Sequence, residues 1–424
     1  MSESEKSTQD ATARKPKRRR RKPRRRQSGW DLRQFKVPAV AGKWRFHDFD
    51  LPLPLMRGIQ AQGFEYCTPI QAETLRHTLL GGDILGKAQT GTGKTAAYLI
   101  SILAYFLEEK APDGQKLRAP RALIVAPTRE LTLQIEKEAR GLARYTHLYV
   151  TSAVGGTDYQ QQREQLDRKV DLLVATPGRL LDFQQKGELD LAQTEVLVLD
   201  EADRMLSMGF IPDVERIIPH MPNRDERQTW LFSATFSEDI RALAEQWAQS
   251  PAEVRIQADA DSQADVDQRV YQVADADKPQ LLVALLQREG VERAIVFGNR
   301  RDRIRELEDE LQKAGISAGV LSGDVAPDER ITTLDQFREG KLQVLVATDV
   351  AGRGVHIDDV SHVVNYTLPE DPEDYVHRLG RTGRAGARGT LISLAGEEDT
   401  FSLPEIERYT GDRLPREQPP EGLL

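Results

Sequence analysis

Short apolar runs recur along most of this chain, separated by charged stretches with helical periodicity. Runs at 83–86, 121–126, 170–175, 195–199 and 229–232 are predicted strands. A second series follows at 294–297, 317–321, 342–347, 362–365 and 389–394. Between them lie periodic segments such as 301–313. Strands alternating with helices imply α/β domains with parallel sheets and helices on both faces. Residues 259–268 (DADSQADVDQ) are polar, acidic and without apolar period, so they read as a linker. The expected organisation is a disordered basic tail (1–42), a first domain (43–258), the linker (259–268), a second domain (269–412) and a frayed C-terminal tail (413–424).

Composition sharpens this picture in three ways. With 424 residues, 39% of them hydrophobic, the chain can bury two or three cores. The single cysteine, Cys67, cannot form an internal disulfide, and no Cys/His cluster has zinc spacing, so a reducing, cytoplasmic setting is expected. The most apolar stretch, 96–107, is too short to span a bilayer, and no apolar core follows the basic N-terminus as a secretory signal would require. Charge is strongly asymmetric: the first 30 residues carry +9 and the remainder −17, within a net charge of −8. Of residues 14–26, 11 of 13 are Lys or Arg. Such a run buries nothing and reads as a polyanion-binding arm, with a solubilising tail as the blander alternative.

The chemistry begins at Ala88-Gln89-Thr90-Gly91-Thr92-Gly93-Lys94-Thr95, between a predicted strand and an apolar helix. Glycines let the loop turn backbone N–H groups towards an anion, and the helix N-terminus adds partial positive charge. Lys94 would reach the β- and γ-phosphates of ATP, and Thr95 would help hold Mg²⁺. Downstream, Val196-Leu197-Val198-Leu199 runs into Asp200-Glu201-Ala202-Asp203. An apolar strand ending in two carboxylates places them at the sheet's C-terminal edge, beside the phosphate loop. Asp200 is then a candidate Mg²⁺ ligand through water, and Glu201 a candidate to orient and deprotonate the attacking water.

Asp-Glu-Ala-Asp and the motifs around it resemble the DEAD-box helicases of superfamily 2, and the resemblance covers 46–412. It implies two RecA-like domains in tandem, ATP and Mg²⁺ as cofactors, and RNA as partner. Gly63-Phe64 followed by Thr68-Pro69-Ile70-Gln71 is similar to the family's adenine-reading motif, which implies that Gln71 reads the base and Phe46 packs near it. The resemblance assigns RNA contacts in the first half to Thr128, Arg129, Gly155, Gly156, Thr176, Gly178 and Arg179. Ser233-Ala234-Thr235 resembles the motif linking hydrolysis to strand separation. In the second half, Gln336-Phe337-Arg338 and Thr348-Asp349 look like RNA-contacting motifs, and Arg353-Gly354 approaches the nucleotide. His377-Arg378-Leu379-Gly380-Arg381-Thr382-Gly383-Arg384 resembles the arginine motif, so Arg381 and Arg384 are candidate γ-phosphate ligands. The chemistry agrees, because guanidinium fits phosphate oxygens in pairs. Two departures stand out. His356 occupies a position where many relatives carry a ribose-contacting Asp, and Gly352 replaces a more usual Ala.

Within the family the resemblance is strongest to a bacterial branch that works with an RNA-degrading nuclease. The expectation is RNA-stimulated ATP hydrolysis coupled to local, non-processive unwinding. Two rivals are an RNA-binding adaptor with decayed ATPase and a DNA-acting ATPase. The presence of Lys94, Glu201, Arg381 and Arg384 opposes the first. The second differs by a 2′-hydroxyl contact that spacing does not reveal.

Overall fold

The apolar runs become two seven-stranded sheets in the computed structural model, which describes residues 30–88, 91–109, 111, 114–255, 266–288, 291–349, 360–383, 389–399, 401–420 and 422. The first sheet contains β1 (Ile84–Lys87), β2 (Ala122–Val125), β3 (Val150–Ala153), β4 (Leu172–Ala175), β5 (Val196–Leu199), β6 (Gln228–Ser233) and β7 (Ala252–Arg255), in the order β3-β4-β2-β5-β6-β1-β7. The second contains β8 (Val266–Gln272), β9 (Ala294–Phe297), β10 (Ala318–Leu321), β11 (Val344–Ala347), β12 (His362–Asn365), β13 (Gly389–Ala395) and β14 (Arg416–Glu417), in the order β10-β11-β9-β12-β13-β8-β14. All ladder pairings in both sheets are parallel.

Each sheet is covered on both faces, as parallel sheets require. Within β5, Val196 and Val198 enter one core while Leu197 and Leu199 enter the other. In β11, Val344 and Val346 separate from Leu345 and Ala347 in the same way. The order β5-β6-β1 sets the carboxyl ends of β5 and β1 on either side of β6. The phosphate loop leaves β1 and the two carboxylates leave β5, so strand order alone brings them together.

Three expected boundaries are corrected. Residues 1–29 lie outside the described residues, but 30–42 are not a tail. Trp30 Nε1 donates to Gln60 Oε1 at 2.8 Å, and Phe35 and Val37 are buried, because apolar side chains return as soon as the basic run ends. Nor is 266–268 linker: β8 starts at Val266 and pairs with β13 over seven residues. The C-terminal segment is not frayed at its start. Leu414 is buried, Val270 N–H donates to the Pro415 carbonyl at 3.0 Å, and β14 joins the sheet beside β8. Among the described residues no helix is long and apolar enough to cross a membrane.

Candidate nucleotide site and domain interface

Gly93, at φ 90°, caps the helix Lys94–Glu108 in a left-handed conformation. A Cβ there would lie 2.5 Å from Gln71 Nε2, so glycine is required by backbone and by space alike. Gln71 is held from two sides. It closes a capping box with Thr68, its Oε1 accepting the Thr68 N–H at 2.9 Å, and its Nε2 donates to the Gly93 carbonyl at 3.2 Å. The residue expected to read adenine therefore also braces the phosphate loop.

Behind the loop, Lys94 Nζ lies 3.0 Å from Asp200 Oδ1, and Tyr98 donates its hydroxyl to Asp200 Oδ2 at 2.9 Å. All three are buried. Burial works against the charge on Lys94, but Asp200 and Glu201 outweigh it and hold the ammonium above its ordinary range. Full burial pushes Asp200 up despite Lys94 beside it. Glu201 follows at φ 53°, a strained left-handed backbone for a non-glycine residue. Burial opposes its charge, yet Arg204, Lys94 and Arg381 together keep its carboxyl below the ordinary value. Arg381 belongs to the second domain, so the field at Glu201 is built by both domains.

The next carboxylate links this site to β6. Asp203 Oδ2 accepts the N–H groups of Ala234 and Thr235 at 2.8 and 3.0 Å, just beyond Ser233. Glu373 and His377, on the helix Pro372–Leu379 of the second domain, bring ligand atoms within 4.8 Å of Asp203. Burial, and then Asp203, raise the Glu373 carboxyl above its usual range. Two ion pairs cross between domains on another side. Arg129 Nη2 lies 2.8 Å from Asp328 Oδ1, and Arg330 Nη2 lies 2.9 Å from Glu130 Oε1.

A cleft of about 690 Å³ opens between these groups. Phe64, Tyr66, Gln71, Gly91, Gly93, Lys94, Thr95 and Glu201 line its first-domain side, and Ile331, Leu334, Asp335 and Arg338 face them. The size suits a nucleotide. Thr95 and Asp200 supply hard oxygen donors next to the loop, a set that fits Mg²⁺.

The structure rearranges several expected roles. Phe46 is fully buried behind Phe64, with ring centroids 6.3 Å apart, so Phe64 presents the aromatic wall of the cleft. Phe337 is also fully buried in the second domain's core and offers no surface to RNA. Both Asp349 oxygens accept from Arg378, at 2.7 and 2.6 Å, while Arg378 also donates to Asn365, Thr367 and Asn299. Asp349 is thus tied into the fold rather than offered to a ligand. Arg338 lines the nucleotide cleft and pairs with Asp335. Gln336 is exposed, and Thr348 is buried at the end of β11. Ala88 is buried, and Thr92 continues the loop between Gly91 and Gly93.

In the first domain the expected RNA residues converge. Arg129 Nη1 donates to the Gly156 carbonyl at 3.2 Å, and Arg179 Nη2 to the Thr157 carbonyl at 3.4 Å. Gly155 and Gly178 have open space where a side chain would stand. Thr128 and Thr176 are N-cap residues of the helices that carry Arg129 and Arg179; the Thr128 hydroxyl accepts the Leu131 N–H. Gln89, Thr90, Arg353, Gly354, His356 and Arg384 lie outside the described residues. The sequence reading missed Tyr98, Arg204, Glu130, Asp328, Arg330 and Glu373 as groups at the site or the interface. Of these, Glu130 adjoins the expected RNA residue Arg129.

Residues 68–243 match the DEAD/DEAH box helicase family, and 277–386 match the helicase conserved C-terminal domain. An ATP-dependent RNA helicase RhlB from Pseudomonas syringae pv. tomato is 56% identical over 384 residues, covering 90% of this chain and 97% of the relative. Dbp5 of S. cerevisiae, solved bound to RNA and ADP BeF3, superposes with a TM-score of 0.77 at 30% identity, covering 88% of this chain and 95% of that one. A variant of that protein bound to Nup159, Gle1, IP6 and ADP gives 0.61 at 30% identity, over 86% of this chain and 95% of that one. Two matched domains, a relative sharing over half its residues and the assembled loop-and-carboxylate site lead to one conclusion: the chain belongs to the DEAD-box family of ATP-dependent RNA helicases and is an ATP-hydrolysing enzyme.

Proposed function

We propose that this enzyme couples RNA-stimulated ATP hydrolysis to local, non-processive separation of RNA strands, in RNA turnover. The observation that carries the reading is Glu201, a buried carboxylate whose charge is balanced by Arg204 and Lys94 from its own domain and by Arg381 from the other. Hydrolysis then depends on closure, and closure is what RNA bound across both domains would favour.

On this reading Gln71 and the cleft wall at Phe64 bind the adenine, while Gly91–Thr95 and Lys94 hold the phosphates. Lys94 must leave Asp200 to do so, freeing an oxygen beside Thr95. Mg²⁺ held there through water would neutralise phosphate charge. Glu201 accepts a proton from the attacking water, and Arg381 and Arg384 stabilise negative charge on the transferring phosphoryl group. Arg129, Gly155, Gly156, Gly178 and Arg179 form the first-domain track for the RNA backbone. Asp203, bonded to Ala234 and Thr235 and adjacent to Glu373, transmits loss of the γ-phosphate to the interface. A cytoplasmic setting and association with an RNA-degrading nuclease belong to the same reading.

The test is steady-state ATPase with single-stranded RNA, with DNA of the same sequence, and with neither. Stimulation by RNA alone is expected. Equal stimulation by DNA would make the enzyme a general nucleic-acid ATPase, and none by either would leave an RNA-binding adaptor.

A further inference from the structure

One buried cation touches the hydrolysis site without belonging to the phosphate loop or the arginine motif. We propose that Arg204 is a positioning residue for ATP hydrolysis, its guanidinium fixing the direction in which the Glu201 carboxylate points. Arg204 Nη1 donates to Glu201 Oε2 at 3.1 Å, and the two side chains are 4% and 9% exposed. The residues are three apart, so the contact spans the first turn of the helix Ala202–Ser207.

Glu201 needs such a strut. Its backbone is left-handed, and it caps the helix without a side-chain hydrogen bond to it. Its carboxylate therefore has no local backbone partner to set its direction. Each of the two carboxylates has its own first-domain cation. Asp200 takes Lys94, and Glu201 takes Arg204. At this depth an unmatched carboxylate is strongly drawn to any cation within reach. Without Arg204 the nearest remaining first-domain cation is Lys94, and a Glu201 turned towards Lys94 is turned away from water.

The strut itself is firmly based. Ala202 and Met205 on the same short helix are fully buried. The Arg204 N–H donates to Asp203 Oδ1 at 2.9 Å, while the other oxygen of Asp203 holds Ala234 and Thr235. Movement of the segment after β6 thus reaches Glu201 through Asp203 and Arg204.

This inference rests on Glu201 acting on water, and the experiment separates the two ideas. RNA-stimulated kcat and KM for ATP, with nucleotide binding followed by a fluorescent ATP analogue, are measured for Arg204→Ala, Arg204→Lys, Glu201→Gln and the double variant Glu201→Gln/Arg204→Ala. Glu201→Gln should lose about 100-fold or more in kcat. Arg204→Ala should lose about 10- to 100-fold in kcat with KM changed less than about threefold, and Arg204→Lys should recover part of the loss. The double variant should be no slower than Glu201→Gln, because Arg204 acts only through that carboxylate. Multiplying losses, or full activity of Arg204→Ala, would overturn the strut. Should Arg204→Ala not fold, Arg204→Lys enters the same cycle with the same outcomes. Full activity of Glu201→Gln would instead overturn the hydrolysis reading.

Discussion

At Gln71 one side chain serves two structures. Its amide offers two N–H groups and two lone pairs, and one of each is spent on Gly93 and Thr68. What remains faces the cleft and matches adenine, which presents an acceptor at N7 and a donor at N6, whereas guanine presents acceptors at both positions. Gln71→Ala should therefore narrow the preference for ATP over GTP by about fivefold, the worth of roughly 1 kcal/mol of hydrogen bonding. The ratio of kcat/KM for the two nucleotides measures this. A matched fall for both would assign Gln71 to bracing the loop alone. Residues of this kind were legible because motif chemistry names donor and acceptor at a fixed spacing: Lys94, Glu201 and Gln71 line one cleft, with Asp200 buried against Lys94. Phe46 and Phe337 lie deeper than their motifs suggest, for a common reason. An aromatic residue reads the same whether it walls a cleft or fills a core, and depth comes only from tertiary packing. Asp349 shows the converse, since its partner Arg378 lies 29 residues away and no local pattern announces it.

The helices Arg129–Leu142 and Pro327–Arg338 are linked across the domain boundary by ion pairs. Glu130 sits in the first turn of one and Arg330 in the first turn of the other, with side-chain exposures of 7% and 17%. A pair this sheltered is costly to break one partner at a time. Glu130→Arg should raise the RNA concentration for half-maximal ATPase about tenfold or more, and adding Arg330→Glu should restore most of it. Failure of the reversed pair to recover would mean that these residues do not hold the domains together. Arg129–Asp328 should contribute less, since Asp328 is 90% exposed and solvent screens the pair. Elements divided along similar lines in legibility. The ten apolar strands stood out because both faces are buried. β3, with Thr151 and Ser152, lacked a continuous apolar run although it is wholly buried. β7, β8 and β14 lie at or near sheet edges with half-exposed, charged sequences, and only their neighbours define them. The cross-domain contacts pair residues about 200 apart and leave no trace in periodicity.

Over the whole molecule, charge is divided unevenly, with +9 in the first 30 residues and −17 in the rest. A polyanion approaching the body meets net repulsion at long range, so the basic arm should raise the association rate without entering the chemistry. Deleting residues 1–28 should flatten the log-affinity against log-salt slope for single-stranded RNA by about 3–4, if roughly five arm residues neutralise phosphates. Saturated turnover should stay unchanged. Tighter binding after deletion would mean that the arm shields the acidic body, and an unchanged slope would leave the arm outside RNA binding altogether. The strand orders hold a different consequence, for birth rather than function. β1, which carries the phosphate loop, pairs only with β6 and β7, the last strands of its domain to be made. On a ribosome adding 5–20 residues per second, the stretch from 87 to 255 takes roughly 10–30 s to appear. Throughout that interval the nascent loop has no sheet to stand on, so the chain cannot grip ATP before its first domain is finished. β8 repeats the pattern, waiting for β13 and β14, the last strands of its sheet to be made.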